Sequence, residues 1–487
     1  MLLAKPFATL ALLGLALHAA AAEPDWREQA RTDLDFAAQA IAERHAGAVL
    51  GHAHILNQLE RGLRQARADL PLVRSAADHR ALLRRFVAGF GDPHLGLQTV
   101  GKLKGWNGLL IDAVDGRFEV VHAEPDADLP PVGSELLDCD GVWIGSYLKA
   151  RVAPGVTEGL EMPSGLSQLA RRVMFDNDLG WAPGSCRFRL ADGPLREWAL
   201  PARPFSASWP EERLDRALAQ TSFTPLPVGL TQPAPGVLWA AISSLNLGDP
   251  PTAQALDTLI SQLAQQGPKA QWVVFDLRGN GGGASSPGGR ALKALYGEAY
   301  GGQLAELPYN GKQAVAHPDT LQMLRGLAAR SDLPADMLGQ VREALQALEG
   351  AQQRGERVAT LSPVAPPAAR DALRAQVRQR PGGPRLAALI DRGCFSSCMA
   401  FLQMLQGPAD TLVLGEATLG YSPYGEIAPL PLPSGQGTLR LPSAFFVSEQ
   451  AAQQPFVPQR RYPGRMHDGA AVQAWALQQL QAAQTAR

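Results

Sequence analysis

Cysteine is scarce in this sequence, with four in 487 residues. So few over such a length exclude a small scaffold built on disulfides. An excess of charge of one sign is also missing. The 45 Lys and Arg against 46 Asp and Glu leave a formal net charge of −1. No positive field is available to draw in nucleic acid or an anionic membrane. A long hydrophobic run is missing too. The apolar stretch from Phe7 to Leu17 falls short of the ~20 residues of a spanning helix, and nothing later is long and apolar enough. What is present is an ordinary globular composition, 46% hydrophobic and 19% charged. That excludes a disordered chain, a collagen and a coiled coil. The length gives a prior of roughly three domains.

The N-terminus has the layout of a secretory signal. Lys5 precedes the apolar run, and Ala19 to Ala22 supply the small residues of a cleavage site. Residues 1–22 are read as a signal peptide, cut between Ala22 and Glu23. No Cys stands at the cut, so a lipoprotein is not indicated. The mature chain is expected to have no membrane span and to be exported, most simply to a bacterial periplasm, where disulfides are permitted.

Residues 23–98 read as a helical N-terminal domain. Leu34, Ala37, Ala38 and Ile41 share one helical face, as do Leu82, Leu83 and Phe86. The turn signal Phe90-Gly91-Asp92-Pro93 closes it. Residues 99–205 hold short strand-like runs, GLLIDAV, RFEVVHA and SELLDCDGVWI, separated by Asp-Gly turns. Residues 206–235 carry several prolines and read as a connector. From Gly236 onward, apolar strands alternate with helices, as in a sheet buried on both faces. Residues 285–380 interrupt that pattern as a mostly helical insertion, a candidate lid or extra lobe.

Four stretches carry chemistry. Asp276-Leu277-Arg278-Gly279-Asn280-Gly281-Gly282-Gly283 follows the strand WVVFDL. Glycines there turn backbone N–H groups outward, either for an anion or simply for a tight turn. No Lys-Ser/Thr follows them, so this is not a phosphate loop. Cys394-Phe395-Ser396-Ser397-Cys398 lies between an apolar strand and an apolar helix. A hydroxyl at that junction suits a nucleophile, and it equally suits a helix N-cap. Gly91-Asp92-Pro93-His94 places a histidine just after a turn. Gly415 to Glu426 forms a loop with Tyr421, Tyr424, Glu416 and Glu426 that either lines a pocket or packs on the body.

Taken in order, the four resemble the C-terminal processing (tail-specific) serine peptidases, a family that includes the core of the tricorn peptidase. VVFDLRGNGGG is similar to the family's Asp-Leu-Arg-x-Asn-x-Gly-Gly motif, and GDPHLGL to its Gly-Asp-x-His motif. PVGSELLDCDGVWIGSYL resembles a PDZ signature, and IDRGCFSSCMAF stands in the place of the nucleophile elbow. The resemblance spans residues 80 to 430. It implies a multidomain α+β fold: the helical N-terminal domain, a PDZ-like domain over 99–205, and a crotonase-like α/β peptidase core over 206–487 containing the 285–380 helical insertion.

Two departures from the family stand out. Met399 replaces the elbow Glu, and Tyr421 stands where many members carry a Lys base. The last lysine of the chain is Lys312, so no Ser-Lys dyad of the usual kind can form. A serine hydroxyl still needs a base, and imidazole titrates in the right range. By resemblance to the tricorn-like branch, Ser396 is the nucleophile and His94 its base. Gly282 or Gly283, with Ser397, supplies the oxyanion N–H groups, and Glu426 orients or polarises the site. Asp92, Arg278 and Tyr421 are supporting residues, Asp92 as a candidate to fix the His94 ring. Cys139 and Cys186 are expected to pair. Cys394 and Cys398 sit at a spacing compatible with either a bridge or two buried thiols. Neither a metal nor a cofactor is implied. The expected partner is a protein or peptide, bound by its C-terminus through strand addition. Two alternatives stand beside this reading. One is a non-catalytic peptide-binding scaffold on the same fold. The other is a hydrolase acting on an ester or a non-peptide amide.

Overall fold

The structure is a computed structural model. It describes residues 24–99, 103–114, 116–155, 163–177, 180–333, 335–448 and 454–485. The expected signal segment 1–22 and its cleavage point lie outside the described residues. Among the described residues no helix is long and apolar enough to cross a membrane. The architecture is multidomain and mixed α/β.

The N-terminal helices are Trp26–Arg44, Ala46–Val49, Ala53–Asp69 and Ala76–Ala88. The first starts at Asp25, whose carboxylate accepts the N–H groups of Arg27 and Glu28. Ser75 caps the last of the four in the same way. The two apolar faces expected from spacing, Leu34 to Ile41 and Leu82 to Phe86, are buried. They do not close a core among themselves. Their cluster also contains Val315, Tyr424, Leu439 and Leu441, from far along the chain. The strand Gly96–Thr99 completes the junction by pairing antiparallel with Gly437–Arg440 of the strand Gly437–Phe446.

Next comes the β-rich module. Its strands run in the order Leu109–Val114, Arg117–Ala123, Glu135–Cys139, Ser185–Arg189 and Leu195–Ala199, all antiparallel. Cys139 and Cys186 face each other across adjacent strands and are bridged. The module's core runs from Trp106 to Ala217. It therefore takes in part of the helix Glu212–Thr221, which lies within the proline-rich connector.

The central sheet is ordered Gly229–Ala234, Val237–Ala241, Trp272–Asp276, Arg385–Ile390, Leu412–Gly415, Arg460–Arg461. The first pair is antiparallel and the rest are parallel. Alternate residues of each strand face opposite layers. Val273 and Phe275 meet the layer of helices Pro250–Gln266, Ser286–Ala305 and Ser397–Leu405, while Trp272 and Val274 meet the helix Gly469–Thr485. Burial on both faces is why these strands read as unbroken apolar runs. Each fully buried side chain of the size of Phe275 contributes about 1.5–3 kcal/mol by leaving water.

The 285–380 segment is mostly helical, as expected, but it is neither wholly helical nor wholly separate from the core. Its first helix, Ser286–Ala305, belongs to the central core. It also contains two strands, Lys312–Val315 and Val358–Ser362, which extend the antiparallel sheet beside Gly437–Phe446. These runs are four and five residues long. That is too short for a period of two to stand out from the helical sequence around them.

If the N-terminal helices share a core with the Gly437–Phe446 strand, damage to that strand reaches them. Leu439→Ala is expected to cost about 2–5 kcal/mol in denaturant unfolding. It should also raise hydrogen exchange in the helix Trp26–Arg44. Unchanged exchange in that helix would mean that the helices fold on a core of their own.

Candidate active site

The parallel register brings the glycine-rich loop and the elbow together. Asp276 lies opposite Leu389 on the neighbouring strand, so the chain leaves both strands at the same edge of the sheet. Segments beyond the carboxyl ends of adjacent parallel strands are where α/β sheets build their sites. The Gly279 N–H donates to Asp391 Oδ1 at 2.9 Å, as does that of Gly393 at 2.9 Å, so one carboxylate staples the two loops. Burial pushes the Asp391 carboxyl up to about 6.

Ser396 sits at the N-cap position of the helix Ser397–Leu405, with φ 58° and ψ −123°. Such a backbone costs on the order of 1–3 kcal/mol for a residue with a side chain. Its hydroxyl caps no helix N–H, unlike Asp25 or Ser75. It lies instead 3.1 Å from His94 Nε2, placed to donate into the lone pair of a neutral ring. Cys394 and Cys398, on either side of Ser396, are bridged, with Cα atoms 5.4 Å apart.

His94 is buried, and burial is the main reason its pKa lies below the ordinary 6.5. The Asp92 charge and the Tyr424 backbone oppose that shift, Arg440 adds to it, and Glu426 opposes it. The net effect keeps the ring neutral near pH 7, as a base requires. Asp92 is also buried. Burial alone would raise its pKa, but the hydrogen bond and electrostatic pull of the His45 ring, then the pull of the His94 ring and the Ser422 hydrogen bond, outweigh it and hold the carboxylate ionised. Asp92 does not grip the imidazole ring, which corrects the role expected for it. Its Oδ1 accepts the backbone N–H of His94 at 3.0 Å and the Ser422 hydroxyl at 2.7 Å. Its Oδ2 lies 3.3 Å from His45 Nε2. The Gly47 N–H donates to His45 Nδ1 at 3.0 Å, so the proton of that ring is on Nε2, facing Asp92. Asp92 thus fixes the loop that carries His94.

The oxyanion assignment also changes in one member. The Gly282 N–H donates to Asn280 Oδ1 at 2.8 Å and is already committed. What Gly282 contributes is space. A Cβ there would meet Ser396 Cβ at 2.8 Å, the Phe395 carbonyl at 2.9 Å and Ser397 N at 3.0 Å, at φ +98°. Gly283 forms a parallel bridge to Leu245, with bonds from Leu245 N–H to the Gly282 carbonyl and from Ala284 N–H to the Leu245 carbonyl. In that pattern Gly283 turns its own N–H and carbonyl away from Leu245. Its carbonyl accepts the Ser397 hydroxyl at 2.7 Å. Among the described residues, the N–H groups of Ser397 and Gly283 meet no protein acceptor.

The remaining expected residues separate. Glu426 is about half exposed (48%) and pairs with Lys312 at 2.6 Å. The Lys312 charge is the main cause that lowers its pKa. Arg278 is fully buried, holds Asp276 through bonds of 2.8 and 2.7 Å, and lies over the Phe223 ring. It braces the strand end and does not reach the serine. Tyr421 is buried in the central cluster and makes no hydrogen bond to Ser396 or His94. Sequence gives no role to His45, nor to Asn280 and Ser422 within their motifs, since their partners lie across the fold or depend on backbone direction. Arg392, two residues before Cys394, also takes part. It joins the elbow to the β-rich module, donating to Asp112 Oδ1 at 2.6 Å while gripping Glu416 through bonds of 3.1 and 2.9 Å. Among the described residues no three His, Cys, Asp or Glu converge as metal ligands.

Residues 240–454 match the family model described as Peptidase family S41. No curated protein matches the chain in sequence. Among solved structures, mature CPAF complexed with lactacystin superposes with a TM-score of 0.60 at 16% identity, covering 90% of this chain and 94% of that one. Mature CPAF alone gives 0.60 at 16%, covering 90% and 93%. At that identity the likeness is one of fold. The photosystem II D1 C-terminal processing protease covers 90% of this chain and 93% of its own at 14% identity, but its TM-score of 0.34 carries no weight.

Close approach at Gly282 gives a direct check on the site. Gly282→Ala is expected to push the elbow away from the glycine loop. Labelling of Ser396 by a fluorophosphonate should then slow on the order of a hundredfold, the scale of a misplacement of about 1 Å. A rate equal to that of the unaltered chain would mean that this contact does not position the serine.

Proposed function

Since residues 240–454 are a peptidase family S41 domain and the chain is by class a serine hydrolase, we propose that it is an exported serine endopeptidase working through Ser396 and His94. The observation that carries this reading is the 3.1 Å approach of Ser396 Oγ to His94 Nε2. It comes with a ring held neutral by burial and a hydroxyl that caps nothing.

The serine oxygen attacks the scissile carbonyl as its proton passes to His94 Nε2. The N–H groups of Ser397 and Gly283 receive the developing oxyanion. The imidazolium returns the proton to the leaving amine, and an acyl-serine remains. Water then attacks the ester, with His94 again as base, and the acid product leaves. Asp92 acts through the backbone of His94. The Glu426 charge favours the imidazolium that forms during each half-reaction. No step calls on a cofactor.

We assign the β-rich module a PDZ-like role, the capture of a chain end by strand addition. Its open antiparallel sheet, with Leu195–Ala199 along one edge, supports that assignment. The core is assigned to the crotonase-like group on its sheet of stacked parallel strands. Export to the periplasm rests on the signal-like N-terminus together with two disulfides in the folded chain.

The test is labelling by a fluorophosphonate across pH. The full chain should be modified at Ser396, and Ser396→Ala should not react. His94→Ala should react slower by a factor on the order of 10²–10⁴, the range of general-base catalysis. A base works only when unprotonated. Reactivity should therefore be lost as pH falls, with a midpoint below the ordinary 6.5 because burial depresses the pKa of His94. No labelling of the folded chain, with or without a C-terminal peptide, would favour a peptide-binding scaffold instead.

A further inference from the structure

We propose that Cys394 and Cys398 are positioning residues for Ser396, and that acyl transfer by this chain depends on their bond being oxidised. The inference rests on the assignment of Ser396 as nucleophile.

Ser396 lies midway between the two cysteines, so the bridge closes a five-residue ring around it. Its backbone, at φ 58° and ψ −123°, lies in a region that residues with side chains rarely occupy. A residue stays there only where its surroundings over-determine it. A serine at this position usually stabilises the helix start through its own oxygen. Here that oxygen caps nothing and faces His94. The elbow thus gives up a capping bond at a strained residue, and other groups must hold it.

Some of that hold comes from hydrogen bonds. Phe395 N–H donates to the Asn280 carbonyl at 3.0 Å, Cys398 N–H to Phe395 at 3.1 Å, and Ser397 Oγ to Gly283 at 2.7 Å. None of these fixes the distance between the loop before Ser396 and the first helical turn after it as a covalent bond does. Both cysteines are fully buried within the central cluster, and Cys398 Sγ lies 3.9 Å from the Leu277 carbonyl, next to the glycine loop. The bond therefore ties the elbow into the buried central cluster. The other bridge, Cys139–Cys186, lies in the separate core of the β-rich module and serves as an internal control.

Opening the bridge needs a dithiol reductant. One thiolate attacks a sulfur of the pair, forms a mixed disulfide and displaces the second cysteine as thiolate. The reagent's other thiol then closes the reagent into its own disulfide. Two electrons and two protons pass to Cys394 and Cys398, and reoxidation reverses the exchange.

The test uses the full chain, oxidised and then treated with dithiothreitol, with mass mapping to show which bridge is open. Opening Cys394–Cys398 is expected to slow fluorophosphonate labelling and lower kcat for a peptide at least about tenfold, with KM unchanged and recovery on reoxidation. Cys394→Ser with Cys398→Ser should match the reduced chain and ignore dithiothreitol, while circular dichroism shows it folded. If that variant does not fold, the reduction arm on the unaltered chain decides. Labelling of the chain with an open elbow bridge at a rate within about tenfold of the oxidised chain overturns the proposal. If the oxidised chain is not labelled at Ser396 at all, the nucleophile assignment has failed, and this inference fails with it.

Discussion

The contact between His94 Nε2 and Ser396 Oγ spans 302 positions of sequence, and much of the fold serves to make it. The serine is delivered by a parallel strand and a bridged elbow. The histidine is delivered by a turn at the end of a helical unit. The two would drift apart unless that unit were fastened to the core. The fastening is the strand Gly96–Thr99 zipped onto Gly437–Arg440, together with a shared apolar cluster into which Tyr424, Leu439 and Leu441 are built. Packing energy far from the site is thus converted into the position of one imidazole.

Electrostatics then set its state. Burial lowers the affinity of His94 for a proton, so the ring rests neutral. Asp92 stays ionised next to it because His45 and Ser422 supply donors. Its charge limits how far burial can lower the pKa of the ring, and its hydrogen bond holds the backbone of His94. Glu426, turned toward Lys312, adds a weaker negative field from the exposed side. Arg392 extends the same economy outward. It gives the elbow a charged link to Asp112 of the β-rich module, in the wall of a cleft of about 260 Å³.

Much of this arrangement was legible in the sequence, where chemistry is written into short motifs. VVFDLRGNGGG, the elbow around Ser396 and the turn before His94 are local patterns, and the fold brings them together. The apolar faces of the helices and the unbroken strands of the central sheet were legible for the same reason. Other features depend on backbone direction or distant partners. The N–H of Gly282 is taken by Asn280, two residues away, so that glycine provides clearance rather than a donor. Tyr421 occupies a suggestive place in the chain but packs into the core. His45 lies in no motif, and Ser422 is one polar residue among several in the Gly415–Glu426 loop; each matters through Asp92. Two strands inside the 285–380 segment are too short to announce themselves, and they join a sheet whose other members lie at both ends of the chain. Spacing left the cysteines at 394 and 398 open between thiols and a bridge, and the fold closes them into a ring around the serine.

The most direct measurement is a crystal structure of the chain after reaction with a fluorophosphonate. The account predicts phosphorus bonded to Ser396 Oγ, a phosphonyl oxygen accepting the Ser397 N–H, and His94 Nε2 within hydrogen-bond reach of the adduct. An adduct on another residue, or one on Ser396 with His94 turned away and the oxygen facing solvent, would contradict it.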